Sequence, residues 1–238
     1  LAPLASGGRL RILTGHVPIA ADVDGDRVRA VTVEGPTGRL ALAAPFFADA
    51  TELGDLLPLA DVEHVTGAES RRETGAESAS EEARPGVQQA FTCCFAVDHV
   101  PGEDHTISRP AEYGFWRDYV PDLRPPWPGR LLSWRMTHPI TLAPRELAFN
   151  PDGPVDEGLN LFDYRRIADP SRFVAGTYES GISLVNWPQN DYWLDPLVGV
   201  SREERARAVA RGKQLSLSLL YWMQTEAPRP DGGAGWRG

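Results

Sequence analysis

Residues 46–60 read FFADATELGDLLPLA. An apolar run ends in a turn rich in acid and glycine, and a second apolar stretch follows at once. Pro45–Ala50 has no polar alternation, which predicts a strand buried on both faces, as in a parallel sheet. The residues after it, Thr51–Asp55, suit a ligand-facing loop, and they equally suit a plain strand-to-helix turn with an N-cap. The sequence on either side bears on the choice.

Upstream, β-rich runs alternate with turn signals: RLRILTGHVPIAADV, then Asp24–Asp26, then RVRAVTVEG, then Pro36–Gly38, then RLALAAPFFADA. Asp-Gly and Pro-x-Gly punctuation between Val/Ile/Leu runs is the signature of consecutive hairpins, so a three-stranded antiparallel meander is expected ahead of the stretch. Downstream, residues 61–87 are strongly polar and contain TGAES at Thr66–Ser70 and again at Thr74–Ser78. Two copies are better explained by chance or a mobile loop than by a structural repeat.

From Gln88 onward, strand-like segments at Ala90–Val97, Leu131–His138, Leu142–Phe149 and Ile182–Asn186 are separated by Pro-rich connections, which predicts a mixed β domain. Ser201 and Glu204 form an S-x-x-E capping box that opens a helix running to about Thr225, where EAPRP stops it. The second half of that helix, Leu215–Met223, is apolar nearly all round and should be buried between two layers.

The chain has 238 residues, 24 basic and 33 acidic, for a net charge of −9. No basic cluster offsets the acid, so the phosphate-neutralising stripe of a nucleic-acid binder is missing, and DNA, RNA and anionic membranes are not expected as partners. No apolar run approaches the roughly 20 residues that span a bilayer. The adjacent Cys93 and Cys94 disfavour a disulfide, which points to a reducing, cytoplasmic setting. The chain opens on Leu1 without an initiator Met and is expected to begin inside a longer protein.

A meander leading into a core strand that ends DATELGD resembles the FAD-dependent oxidoreductases of the glutathione-reductase-like superfamily. ADATELGDLLPLA, TGAES, NWPQNDYW and LSLSLLYWMQTEAPRPDGG together are similar to one bacterial subgroup of these flavoproteins, over roughly Arg11 to Gly233. The resemblance implies an α/β fold, or α+β as truncated: the end of an FAD-binding domain with its meander over 1–60, a mixed-sheet substrate domain over 61–196, and over 197–238 a helix returning to the FAD domain. It also implies an internal fragment, since the G-x-G-x-x-G fingerprint and the C-terminal closing segment are absent. In such a fragment Leu215–Met223 would lose part of the sheet it covers and leave an apolar patch exposed.

The resemblance places the backbone after the strand against the pyrophosphate and ribityl chain of FAD, with Ala50 and Gly54 permitting close approach, Thr51 offering a hydroxyl and Asp55 an acceptor for a ribityl hydroxyl. Glu52 stands where the broader family has glycine. Its charge opposes a diphosphate, so it should point away or be held by an arginine. Asn186–Trp193, NWPQNDYW, could present Asn186, Trp187, Asn190 and Tyr192 to a small polar substrate or flavin ring; equally, its aromatics could be core and its amides satisfy backbone. His138, ending an apolar strand beside a chain-bending proline, and Asp191 are the candidate general bases. Asp98, His99, Glu103, Asp104 and His105 are metal-ligand types without helical i, i+4 spacing, and they read as a solvated loop, so no metal is expected.

The expected function is oxidation of a polar small molecule by hydride transfer to FAD. A flavin monooxygenase or halogenase uses the same scaffold. From a different class, seven tryptophans and an acidic surface also suit a carbohydrate-binding or polysaccharide-degrading module without flavin.

Overall fold

The computed structural model describes residues 6–155 and 158–238, so the start of the first expected domain at Leu1 lies outside the described residues. The chain divides into two compact units, Leu1–Val87 and Gln88–Gly238. Small mixed sheets and a few helices give an architecture of α/β type.

The first unit contains the meander. Strands β1 (Val17–Asp24), β2 (Arg27–Gly35) and β3 (Gly38–Ala43) pair antiparallel in that order. Gly25 (φ +57°) and Gly38 (φ +108°) take the left-handed backbone that the two tight turns require. Val31 and Val33, alternate residues of the middle strand, are buried and mark the inner face.

The strand expected over Pro45–Ala50 does not form. This segment runs on from β3 without a pairing partner among the described residues, and Phe46 is 90% exposed. Apolar composition suggests burial but does not supply the neighbouring strand whose backbone groups an extended segment must meet. A short helix α1 (Leu56–Leu59) follows.

In the polar region, helix α2 (Arg71–Thr74) is opened by a Ser70/Glu73 capping box and closed by Gly75 at φ +70°. The two TGAES copies take different conformations: Ser70 caps α2, whereas Thr74 ends it and Ser78 lies in the following turn. The repetition in sequence is therefore not one in structure.

The second unit is built from short strands around one long helix. Strands β4 (Phe91–Thr92), β5 (Phe95–Val97), β6 (Arg135–Thr137), β7 (Pro144–Ala148), β8 (Leu159–Asn160), β9 (Arg166–Ala168), β10 (Ile182–Val185) and β11 (Asp191–Tyr192) form three small sheets, ordered β5-β10-β9, β11-β4 and β6-β7-β8. Among the described strands of this unit, β7 and β8 alone pair in parallel. Helix α3 (Tyr113–Asp118) packs on the long helix, and helix α4 (Leu161–Tyr164) follows β8.

The long helix, α5 (Arg202–Thr225), starts at the capping box read from sequence, with Ser201 Oγ accepting from Glu204 N–H and the Glu204 carboxylate accepting from Ser201 N–H. Its apolar half is interior: Leu215, Leu219 and Met223 are buried, and no residue from 214 to 225 is exposed. The apolar patch expected along Leu215–Met223 is thus covered. Much of the cover is aromatic, with Trp222 edge-on to Trp134 at 4.7 Å and Trp134 stacked on Phe149 at 5.7 Å. Gly212 sits mid-helix, where glycine costs about 1 kcal/mol against alanine, because a Cβ there would lie 2.6 Å from the Phe91 ring. After Ala227 the chain folds back on the helix end, Trp236 N–H donating to Met223 O at 2.9 Å. No described helix is long and apolar enough to cross a membrane.

Candidate functional site

The turn at 49–56 is organised by a residue outside the sequence-based candidates. Asp49 accepts from Thr51 N–H and from Leu56 N–H, each at 2.9 Å, and Thr51 Oγ1 accepts from Asp55 N–H at 2.8 Å. The bonds from the Thr51 amide, the Thr51 hydroxyl and the Leu56 amide, in that order, hold the Asp49 carboxyl below its ordinary range. The signal was present in sequence: an Asp two residues before Thr51 is an Asx-turn pattern.

Gly54 takes φ +65°, and a Cβ on it would meet Leu57 Cδ1 at 3.0 Å. Its first duty is the turn itself. Ala50, Thr51 and Glu52 are exposed, and Glu52 has no ion pair among the described residues, so no arginine holds it. Between Leu40 and Ser70 the sequence has no Lys or Arg, while Asp49, Glu52, Asp55, Asp61, Glu63 and Glu69 are acidic. A donor set of carboxylates, a hydroxyl and small residues fits the hydroxyl-bearing ribityl chain of FAD. It does not fit the diphosphate, which needs cations or a helix N-terminus with free N–H groups, and at α1 the Leu56 N–H is already taken by Asp49.

The Trp-Pro segment lies in the second unit, and most of it is interior. Trp187, Asn190 and Tyr192 are buried, as is Gln189, and Asn186 is half-buried. Asn190 Oδ1 accepts from Trp187 N–H at 2.9 Å, and Nδ2 donates to Ser216 Oγ on α5 at 3.3 Å. Gln189 Nε2 donates to the carbonyls of Ser133 and Arg135, both at 3.2 Å. The Tyr192 hydroxyl donates to Asp195, and burial followed by that bond drives its pKa upward. These side chains tie the β11 region to α5 and to the 133–135 segment, with the Asn190 amide, Gln189 Nε2 and the Tyr192 hydroxyl bonded within the chain and Trp187 Nε1 and Gln189 Oε1 buried without a partner among the described residues. Sequence composition could not reveal this, because the same amides serve a ligand or a backbone equally well.

Asp191 stands apart. It pairs across strands with Thr92, whose hydroxyl donates to Oδ1, and it is half-buried. Burial raises its pKa, and the Thr92 bond opposes the rise without cancelling it.

His138 occupies the turn between β6 and β7. Its Nδ1 accepts from Ile140 N–H and Thr141 N–H, both at 3.1 Å. Two backbone donors on Nδ1 assign the ring proton to Nε2, so the basic lone pair is already used by the turn. The structure does not bring His138 together with Asp191 in any contact it records.

The stretch read as a solvated loop is partly interior: the His99 side chain is only 11% exposed, with its ring edge-on to Trp236 at 5.4 Å. It lines a cavity of about 440 Å³ in the second unit together with Asp98, Glu103, His105 and Trp236. No group of metal-ligating residues is assembled there or elsewhere among the described residues. The tryptophans are not displayed as a sugar platform, since Trp116, Trp134, Trp187, Trp222 and Trp236 are buried and Trp127 and Trp193 are half-buried.

A family model described as FAD dependent oxidoreductase matches residues 1–237. Neither curated proteins nor solved structures gave a match.

Proposed function

The chain belongs to the FAD dependent oxidoreductases, whose cofactor is FAD, and from that membership we propose that it oxidises a small polar molecule, with the 49–55 turn as its contact to the ribityl part of the cofactor. One observation carries the reading. The turn is largely exposed yet tightly pre-organised by Asp49, with hydroxyl-binding side chains and no Lys or Arg in the sequence between Leu40 and Ser70. Pre-organisation lowers the ordering cost of binding.

In this reading Ala50 and Gly54 keep the surface low enough for the cofactor's polyol to lie along it. The Asp55 carboxylate accepts from its hydroxyls, as does the remaining lone pair of Thr51 Oγ1, whose proton goes to Asp49 and which already accepts from Asp55 N–H, and Glu52 projects into solvent. FAD supplies a two-electron acceptor for the hydride leaving a C–OH or C–NH carbon of the substrate. Asp191 takes the accompanying O–H or N–H proton at Oδ2, while Oδ1 stays fixed by Thr92. Its raised pKa makes it a stronger base than an exposed carboxylate. His138, whose Nδ1 already accepts two backbone bonds, is the weaker choice for that role.

Flavin fluorescence during FAD titration, wild type against Thr51→Val and Asp55→Asn, tests the turn. Weakened binding in both variants with unchanged folding is expected, and unchanged affinity in both would remove the turn from the cofactor site. Turnover under anaerobic conditions with an artificial electron acceptor tests the reaction class. A strict requirement for O₂ and a separate reductant would replace simple oxidation by monooxygenation.

A further inference from the structure

In the sheet ordered β5-β10-β9, strand β9 (Arg166–Ala168) has β10 on one side and no strand on the other among the described residues. Leu184 N–H on β10 donates to Arg165 O at 3.0 Å, and a trans peptide turns the following N–H the opposite way. The Arg166 N–H therefore faces the open side, where an unpaired strand is a template for another.

This edge is little protected. Arg165, Arg166 and Ile167 are exposed in succession, so neither face of the strand is covered, and Ile167 is 62% exposed. Arg166 is paired with Asp163 within the chain. Arg165 has no ion pair among the described residues, and its guanidinium lies 5.1 Å from the Tyr164 ring centroid. Asp169 has no ion pair among them either: Oδ1 accepts from Ser171 N–H at 3.0 Å and from Ser171 Oγ at 2.8 Å, which leaves Oδ2 open. The Ser171 hydroxyl and amide, and then the charges of Arg166 and Arg172, hold the Asp169 carboxyl below its ordinary range, so it is ionised at neutral pH.

The two unpaired charges are placed symmetrically about Ile167, with Arg165 two residues before it and Asp169 two residues after. Two copies laid antiparallel with Ile167 opposite Ile167 set Arg165 of each against Asp169 of the other. Moving the axis to Arg166 sets like charge against like, and moving it to Ala168 sets Arg165 against Ser171. In the Ile167 register the outward Arg166 N–H meets Ala168 O of the other copy. Ile167 then falls at the non-hydrogen-bonded position, where facing Cα atoms are about 4.5 Å apart and side chains touch.

We propose that two copies of this chain pair through β9 about a two-fold axis at Ile167, joining their sheets edge to edge with two Arg165–Asp169 ion pairs across the axis. Such an interface is isologous and closes at two copies. A strand this short makes it small, so the dimer is weak and concentration-dependent. It uses neither the 49–55 turn nor Asp191, and it stands or falls apart from the flavin reading.

Sedimentation velocity on the full chain, from micromolar to millimolar concentration, reads the association. Wild type should pass from monomer to dimer and no further. Arg165→Asp should weaken the dimer about tenfold, because both cross-axis pairs turn repulsive. Ile167→Lys sets two cations face to face on the axis and should abolish it. Both positions are exposed, so the melting temperature should hold. Asp169→Arg should behave as Arg165→Asp does, and an equimolar mixture of those two variants should dimerise again, since every cross-axis pair in the mixed dimer has opposite charges. With Cys93→Ser and Cys94→Ser as background, Ile167→Cys should cross-link to its own copy on oxidation, whereas Val174→Cys, 82% exposed in the wild type, should not. The proposal is overturned by a monomer at every concentration, by a dimer indifferent to Ile167→Lys, or, with Asp169→Arg folded, by a mixture no more associated than its components.

Discussion

Replacing Asn190 by alanine removes both hydrogen bonds of a fully buried side chain. In the wild type, Oδ1 accepts from Trp187 N–H at 2.9 Å and Nδ2 donates to Ser216 Oγ at 3.3 Å. Trp187 is itself buried, so its backbone N–H is left without an acceptor, and one unsatisfied buried group costs about 1–3 kcal/mol. The second bond, longer and to a hydroxyl that can turn, adds about 0.5–1 kcal/mol. The expected loss is about 2–4 kcal/mol, which for a chain of this size lowers the melting temperature by roughly 4–16 °C. Near-UV circular dichroism is the appropriate assay, because Trp187, Trp134 and Trp222 belong to the core cluster that must loosen. Ser216→Ala alone should cost less than half as much and add little on top of Asn190→Ala, since the bond it removes is already gone. A melting temperature unchanged by Asn190→Ala, together with lost turnover, would refute this reasoning and return Asn190 to the substrate.

Gly54→Val should weaken FAD binding several-fold, measured by flavin fluorescence, because valine strains a φ of +65° and crowds Leu57. Gly212→Val should destabilise by about 1–3 kcal/mol through overpacking against Phe91, read from urea denaturation, and Phe91→Leu should recover part of it. The pKa of Asp191 is raised on folding, so the folded state binds more protons than the unfolded state above the ordinary carboxylate value, and stability falls as pH rises through that window. Asp191→Asn should abolish that fall, and denaturation curves of equal pH slope for the two proteins would contradict the assignment.

Local signals and long-range ones were not equally legible in the sequence. The meander could be read because Asp-Gly and Pro-x-Gly turns and alternating strands act over a few residues, and α5 because its capping box lies within one turn. Pro45–Ala50 misled because burial on both faces requires partners that a local run cannot specify. The same limit applies to NWPQNDYW. Whether Asn190 bonds a ligand or Trp187 depends on Ser216, which is supplied from α5 far along the chain. Asp49 has a local Asx-turn pattern, but it closes an apolar run and so reads as the end of a strand, which hides that its carboxylate fixes the geometry of the residues after it.

That geometry constrains how an acidic turn can serve a cofactor that carries two phosphates. The N-terminus of α1 would ordinarily attract an anion, but this helix is short, spanning Leu56–Leu59, and its Leu56 N–H is bonded to Asp49. Asp49, Glu52 and Asp55 add like charge to any phosphate placed there, and no Lys or Arg lies between Leu40 and Ser70 to offset it. Hydroxyl groups meet no such opposition, because a carboxylate accepts from them at little electrostatic cost. On the proposed reading the turn favours the polyol and repels the diphosphate, so its contribution to FAD binding should change little with salt. A strong loss of FAD affinity in Thr51→Val that high salt amplifies would instead put phosphate at the turn.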